Sequence, residues 1–252
     1  MSPGRRDLGA VTIAASPVVV LLAIEALAIG WPGDASSSAA GARAADAFAW
    51  CFAEAVFLTF WAPAVALRCQ ARLCEGTGLR NGIALPFGLA GAVIALHALV
   101  LVFAGVPASK ALLVQAILLA YGAALFGVGI LAGRGGGRTS PAIAAVAVTG
   151  LALAVTFSPL WLNPFLEHPT LDEHRPAVVR GALGSSPLAN VAGVLEHDWL
   201  REDLMYRTSV VGPYYPFAYP KPSGFLAVAV ALTALGAFGM VRIGTRSAER
   251  AP

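Results

Sequence analysis

Four polar side chains stand in stretches otherwise fit only for a lipid interior: Glu25, Glu54, His97 and Gln115. An ionisable group at the centre of a bilayer costs about 3 kcal/mol on insertion scales, so each should face a bundle interior, a partner subunit or water. Glu25, Glu54 and His97 are therefore candidates for lining a pathway through the membrane, with a structural polar contact between helices as the competing reading. Glu54 lies near the outer end of its apolar run, where water could wet it. His97 stands by itself, without the second histidine that a bis-histidine haem requires on a facing helix.

Two other groupings imitate chemistry. Glu167, His168, Asp172, Glu173, His174, His197 and Asp198 are residue types that can ligate zinc. Their spacing matches no dedicated motif such as H-E-x-x-H, so a solvated acidic loop is expected there. The stretch "GRGGGRTS" looks like a phosphate cradle, but Arg138 occupies the place of the second glycine and no lysine follows it. No catalytic residue, metal or cofactor is expected in this chain. Nucleic acid is not expected as a partner either, since the cations are scattered over loop ends rather than gathered in one patch with interleaved aromatics.

The elements that must position these residues are long and apolar. Of 252 residues, 58% are hydrophobic and 12% charged, against about 25% charged in a soluble domain. The useful unit of counting is the run of about 20 residues that crosses a hydrocarbon core. Six such runs lie at about 8–31, 47–67, 82–105, 108–132, 141–162 and 223–243. The composition predicts an all-α membrane protein, one transmembrane domain over 1–252, with no alternation of the barrel-strand kind. The run at 8–31 is longer than a signal-peptide core of about 7 to 15 residues and is expected to stay as an uncleaved span. The third and fourth runs, joined only by "GVPASK", should form an antiparallel hairpin.

Cationic loops stay on the cytoplasmic side. With the N-terminus inside, the inner segments hold ten arginines (Arg5, Arg6, Arg68, Arg72, Arg80, Arg134, Arg138, Arg242, Arg246, Arg250), while the two short outer loops hold only Arg43 and Lys110. Both termini should therefore be cytoplasmic in a multi-pass protein of the cell (inner) membrane. Cys69 and Cys74 would sit reduced on the inner side, and with Cys51 they are too few for a disulfide framework. The long segment 163–222 should be extracytoplasmic. Within it Ser186 can cap a helix with Pro187 at its first position, and Leu188, Val191, Ala192, Leu195 and Trp199 recur at helical spacing. That predicts one short amphipathic helix resting on the membrane face or on the bundle. Tyr214, Tyr215, Phe217 and Tyr219 read as an interfacial aromatic belt before the last span. Gly129 and Gly133 form a G-x-x-x-G consistent with close helix contact.

Between the second and third runs lies "ALRCQARLCEGTGLRNGIALPFG", in which Arg72, Glu75, Gly76, Thr77, Leu79 and Pro86 follow one another. This stretch resembles the corresponding cytoplasmic loop of type 2 ABC transporter permeases (the ABC-2 type exporters). There a basic and acidic segment is followed by E-G-T, Leu-rich residues and a Pro at the start of the third span. The resemblance implies a coupling helix that docks on a separate ATPase subunit, with Arg72, Glu75, Gly76 and Thr77 in the coupling role. It also implies six spans, internal termini and a larger outer segment between the last two spans, often a short helical hairpin. Two features depart from the family pattern: no amphipathic elbow helix fits before the first run, and Gly78 replaces a residue commonly acidic or Leu.

The function expected is that of a permease subunit that forms the membrane pathway. Its partners would be an ATP-binding subunit with Walker motifs, a second permease copy or related permease, and the lipid bilayer. ATP hydrolysis would occur on the other polypeptide, so the chain itself is not expected to be an enzyme. The alternative is a non-catalytic integral subunit of another membrane complex, docking through its outer loop.

Overall fold

The computed structural model describes residues 39–74, 79–134, 141–161, 173–201 and 218–248. Among these the chain is all-helical, 89% helix with no strands. The first run, 8–31, with Glu25, lies outside the described residues.

Helix α1 spans Ala39–Cys74, 36 residues, about 54 Å at the α-helical rise. It begins well before the expected 47 and outruns a core of about 30 Å. Pro63 lies inside it and is buried. Helix α2 spans Leu79–Phe103 and α3 spans Ala108–Arg134. The expected hairpin between them is present. Gly105 ends α2 in the left-handed region, φ 89°, and the amide of Val106 reaches back to the carbonyl of Leu101 at 3.0 Å. That is a Schellman closure, and glycine adopts it without a Cβ penalty. Pro107 follows and cannot extend the helix.

Helix α3 is the axis of the bundle, packed against α1 on one side and the last helix, α8 (Pro222–Ala248), on the other. Spacing explains the two contacts. Gly122, Gly129 and Gly133 fall at steps of seven and four, which places them on one helical face. A Cβ at Gly122 would meet Leu58 at 3.1 Å, one at Gly129 would meet Ala66 at 2.7 Å, and one at Gly133 would run into Gln70. All three neighbours belong to α1. Gly127 points elsewhere: a Cβ there would lie 2.6 Å from the Leu232 carbonyl, while one at Gly236 would run into the Gly127 backbone. The Gly129/Gly133 pair therefore does mark close helix contact, and Gly122, Gly127 and Gly236 extend it to two interfaces.

The fifth run, expected as a continuous span over 141–162, is divided. Helix α4 covers Pro141–Thr156, Phe157 is a turn, and α5 is the single turn Ser158–Trp161. Pro159 has no N–H for the Val155 carbonyl and its ring crowds that oxygen. The Ser158 hydroxyl donates to the Val155 carbonyl instead, at 2.8 Å.

In the segment 163–222 the expected helix exists as α7, Pro187–Leu195, with Ser186 as its N-cap. It closes on Glu196 rather than running on to Trp199, which sits in a separate 3-10 turn, Trp199–Arg201. A second helix, α6, spans Arg175–Ser185 and was not legible from periodicity. Helix α7 packs against α1 and α3, and Leu188, Ala189, Val191 and Ala192 are fully buried. Of the two positions expected for it, the bundle is the one it takes.

The ends of the bundle are marked by contacts. At one end Lys110 Nζ meets Glu196 Oε1 at 3.0 Å. At the other, Gly133 touches Gln70, so the connections after Cys74 and Arg134 leave from the same end. Among the described residues three helices are long and apolar enough to cross a membrane, Arg43–Gln70, Ala108–Gly133 and Pro222–Val241; Gly91–Phe103 and Ile143–Thr156 are shorter apolar helices. Large apolar side chains such as Phe103, Val146, Leu151, Val230 and Val241 face outward. That surface suits lipid rather than water, as expected of a membrane protein.

Candidate functional site

Three of the four polar residues singled out from sequence meet inside the bundle. Glu54 comes from α1, His97 from α2 and Gln115 from α3. His97 Nδ1 lies 2.8 Å from Glu54 Oε2, and Gln115 Nε2 donates to the same oxygen at 3.0 Å. The exposures are 2%, 6% and 3% respectively. Glu54 is therefore not a wetted residue at a helix end. It lies deep in the bundle because α1 begins eight positions earlier than the apolar run suggested, at Ala39 instead of 47. His97 does not stand by itself either, since its partner is a carboxylate rather than a second histidine.

The bonding is lopsided. Glu54 Oε2 receives both donors, while Glu54 Oε1 and Gln115 Oε1 are buried without a hydrogen-bond partner among the described residues. A buried acceptor left unmade costs about 1–3 kcal/mol. Among the described residues His97 is the ion-pair partner of Glu54, and no lysine or arginine bridges to it.

Further along the same helices lies a second polar layer. Thr59 Oγ1 donates to the Ala55 carbonyl at 2.7 Å and lies 2.7 Å from the Tyr121 hydroxyl. That hydroxyl in turn lies 2.8 Å from Thr156 Oγ1 on α4. The carbonyl of Thr156 accepts from Ser186 Oγ at 2.7 Å. Asn190 Nδ2 bonds the Ser186 carbonyl at 2.8 Å and the Gly184 carbonyl at 3.2 Å, binding α6 to α7. The tip of the α6–α7 pair is thus held at the depth where α4 ends. Sequence reasoning missed Thr59, Tyr121, Thr156 and Asn190, because single Thr, Tyr and Asn residues barely disturb the hydropathy of a span and carry no spacing signal.

Of the coupling residues, Arg72 occupies the last turn of α1, and Glu75, Gly76 and Thr77 lie outside the described residues. Of the outer acid and histidine group, Glu167, His168 and Asp172 also lie outside them. Glu173 and His174 are exposed beside the start of α6. His197 lies against Phe48, ring centroids 5.1 Å apart, and Asp198 accepts from the Tyr219 hydroxyl at 2.8 Å. No group of three metal-ligating side chains occurs among the described residues. Tyr219 of the aromatic stretch thus packs on its own chain, over Gly193; Tyr214, Tyr215 and Phe217 lie outside the described residues.

The chain matches no protein-family model, no curated protein and no solved structure.

Proposed function

We propose that the chain is the permease subunit of a type 2 ABC transporter, coupled to a separate ATPase through the connection around 68–81 and passing its substrate along the bundle. The observation that supports this is where the connection leads. It joins α1 to α2, and these two helices carry Glu54 and His97. A displacement of the connection would be delivered through these helices to the ionisable pair that lies buried among the described residues. Helix α1 also outruns the hydrocarbon, and Arg68 in its last turns is exposed, open to a soluble partner. Helix α7 gives its apolar face to this chain's own bundle. That favours the permease over a subunit that docks by its outer loop.

Coexpression with an ATPase carrying Walker motifs tests the proposal. Glu75→Lys should lower stimulated ATP hydrolysis in the reconstituted complex while the thermal unfolding midpoint of the permease stays put. Unchanged stimulation removes the coupling role. A membrane-impermeant maleimide should reach Cys74 only from the cytoplasmic side, the other two cysteines being buried. Labelling of Cys74 from outside intact cells removes the topology.

A further inference from the structure

The unpaired oxygens of the buried cluster point to a ligand. Glu54 Oε1 and Gln115 Oε1 are both acceptors, both buried and, among the described residues, both without a partner. Each is bonded through one carbon to an atom of the same 3.0 Å hydrogen bond, Gln115 Nε2 to Glu54 Oε2, so they belong to the same small region between α1 and α3. Rotating the Gln115 amide does not help, since it would turn an oxygen toward Glu54 Oε2 and lose the existing bond. His97 is already engaged at Oε2 through Nδ1.

We propose that Glu54 Oε1 and Gln115 Oε1 form a buried binding site for one small monovalent cation, of the sodium, potassium or ammonium class. The chemistry of the donors narrows the class. A hard oxygen pair suits an alkali ion or ammonium; a calcium-type site draws six to eight oxygens with several carboxylates, and the clusters of thiolates and imidazoles that select softer metals do not occur among the described residues. A water molecule could bond both oxygens but would leave the carboxylate charge to His97 alone, whereas a cation answers the hydrogen-bonding deficit and the charge together. Among the described residues no surrounding ionisable group competes for it. Cys51 and Tyr121 are the titratable neighbours along α1 and α3 and are buried, while 141–156 of α4 and 222–241 of α8 contain no ionisable side chain. Lys110, Glu196, His197 and Asp198 lie toward the end of the bundle, where Lys110 is engaged with Glu196. The site rests on these side chains and does not depend on whether an ATPase binds the chain.

The test uses the full chain in lipid nanodiscs, with chloride salts of sodium, potassium, ammonium and the bulky N-methylglucamine at equal ionic strength. A ligand that binds only the folded state raises its stability with concentration. The thermal midpoint should rise with at least one of the three small cations relative to N-methylglucamine, and equilibrium dialysis with the favoured ion should saturate at one per chain. Glu54→Gln, which can still accept from His97, should abolish the difference between salts. Gln115→Leu should weaken it at least tenfold in apparent affinity, and Thr59→Val, in the neighbouring layer, should preserve it. Equal midpoints in all four salts would mean that water or a proton suffices and would overturn the proposal. So would cation binding that survives in both variants. If either variant fails to fold, the salt comparison and the dialysis on the unaltered chain still decide.

Discussion

Glu54 and His97, 43 residues apart in sequence, meet at 2.8 Å and join the two helices on either side of the 75–78 connection. Over 91–103 α2 is otherwise thinly packed: Leu96, Leu99, Val102 and Phe103 face outward, and His97 and Leu101 are the buried residues of that stretch. The pair is therefore the polar fastening of α2 to the bundle.

Breaking that fastening from one side should be worse than removing it whole. His97→Leu leaves a buried carboxylate with its Gln115 bond alone and should cost about 3 kcal/mol. The Glu54→Leu, His97→Leu double variant should be more stable than the sum of the single effects by about 1–3 kcal/mol. A double-mutant cycle by reversible unfolding in bicelles measures the coupling; additivity would show that the contact carries none.

Glycine substitutions should divide by location. At Gly127 or Gly236 a methyl group meets backbone of the opposite helix, which cannot swing aside as a side chain can. Gly127→Ala and Gly236→Ala should each cost about 1–3 kcal/mol by overpacking. Gly150 lies within α4 and has nothing within 4 Å of a new Cβ, so Gly150→Ala should stabilise by about 0.5–1 kcal/mol. Thermal unfolding of the three variants in one lipid ranks them.

The hydroxyl layer should be worth less than its geometry suggests. Tyr121→Phe removes two contacts, to Thr59 and to Thr156. Side-chain hydrogen bonds in membrane bundles average about 0.6 kcal/mol, so a loss near 1 kcal/mol is expected rather than several. Thr59→Val in the Tyr121→Phe background should add little, a point the same unfolding assay decides.

At the end of the bundle where Lys110 meets Glu196, conformation should outweigh charge. Glu196 closes α7 at φ 56°, the left-handed region, and its side chain, which meets Lys110, is 78% exposed. An ion pair so exposed contributes about 0–1 kcal/mol, while glycine relieves the φ strain. Glu196→Gly should be neutral or stabilising and Glu196→Val destabilising by about 1–2 kcal/mol, since a β-branched residue fits the left-handed region worst. Circular dichroism melts compare the two.

The sequence by itself determined the helical class, because apolar runs of bilayer length leave the backbone no other way to satisfy its own hydrogen bonds. It also pointed to the α2–α3 hairpin through the short "GVPASK" connection, to the Ser186–Pro187 start of α7 and to the close contact at Gly129 and Gly133, since each follows from local sterics or helical period. Periodicity said nothing of the break at Phe157, where Pro159 and the Ser158 hydroxyl interrupt an unchanged hydropathy. It was silent, too, on α6, whose apolar content is thin. Only the tertiary structure decided that Glu54, His97 and Gln115 share one buried point and that Tyr121 joins Thr59 to Thr156. Meetings between residues dozens of positions apart depend on how the helices cross, and the crossings depend on small residues, such as Gly127 and Gly236, whose partners no single segment names.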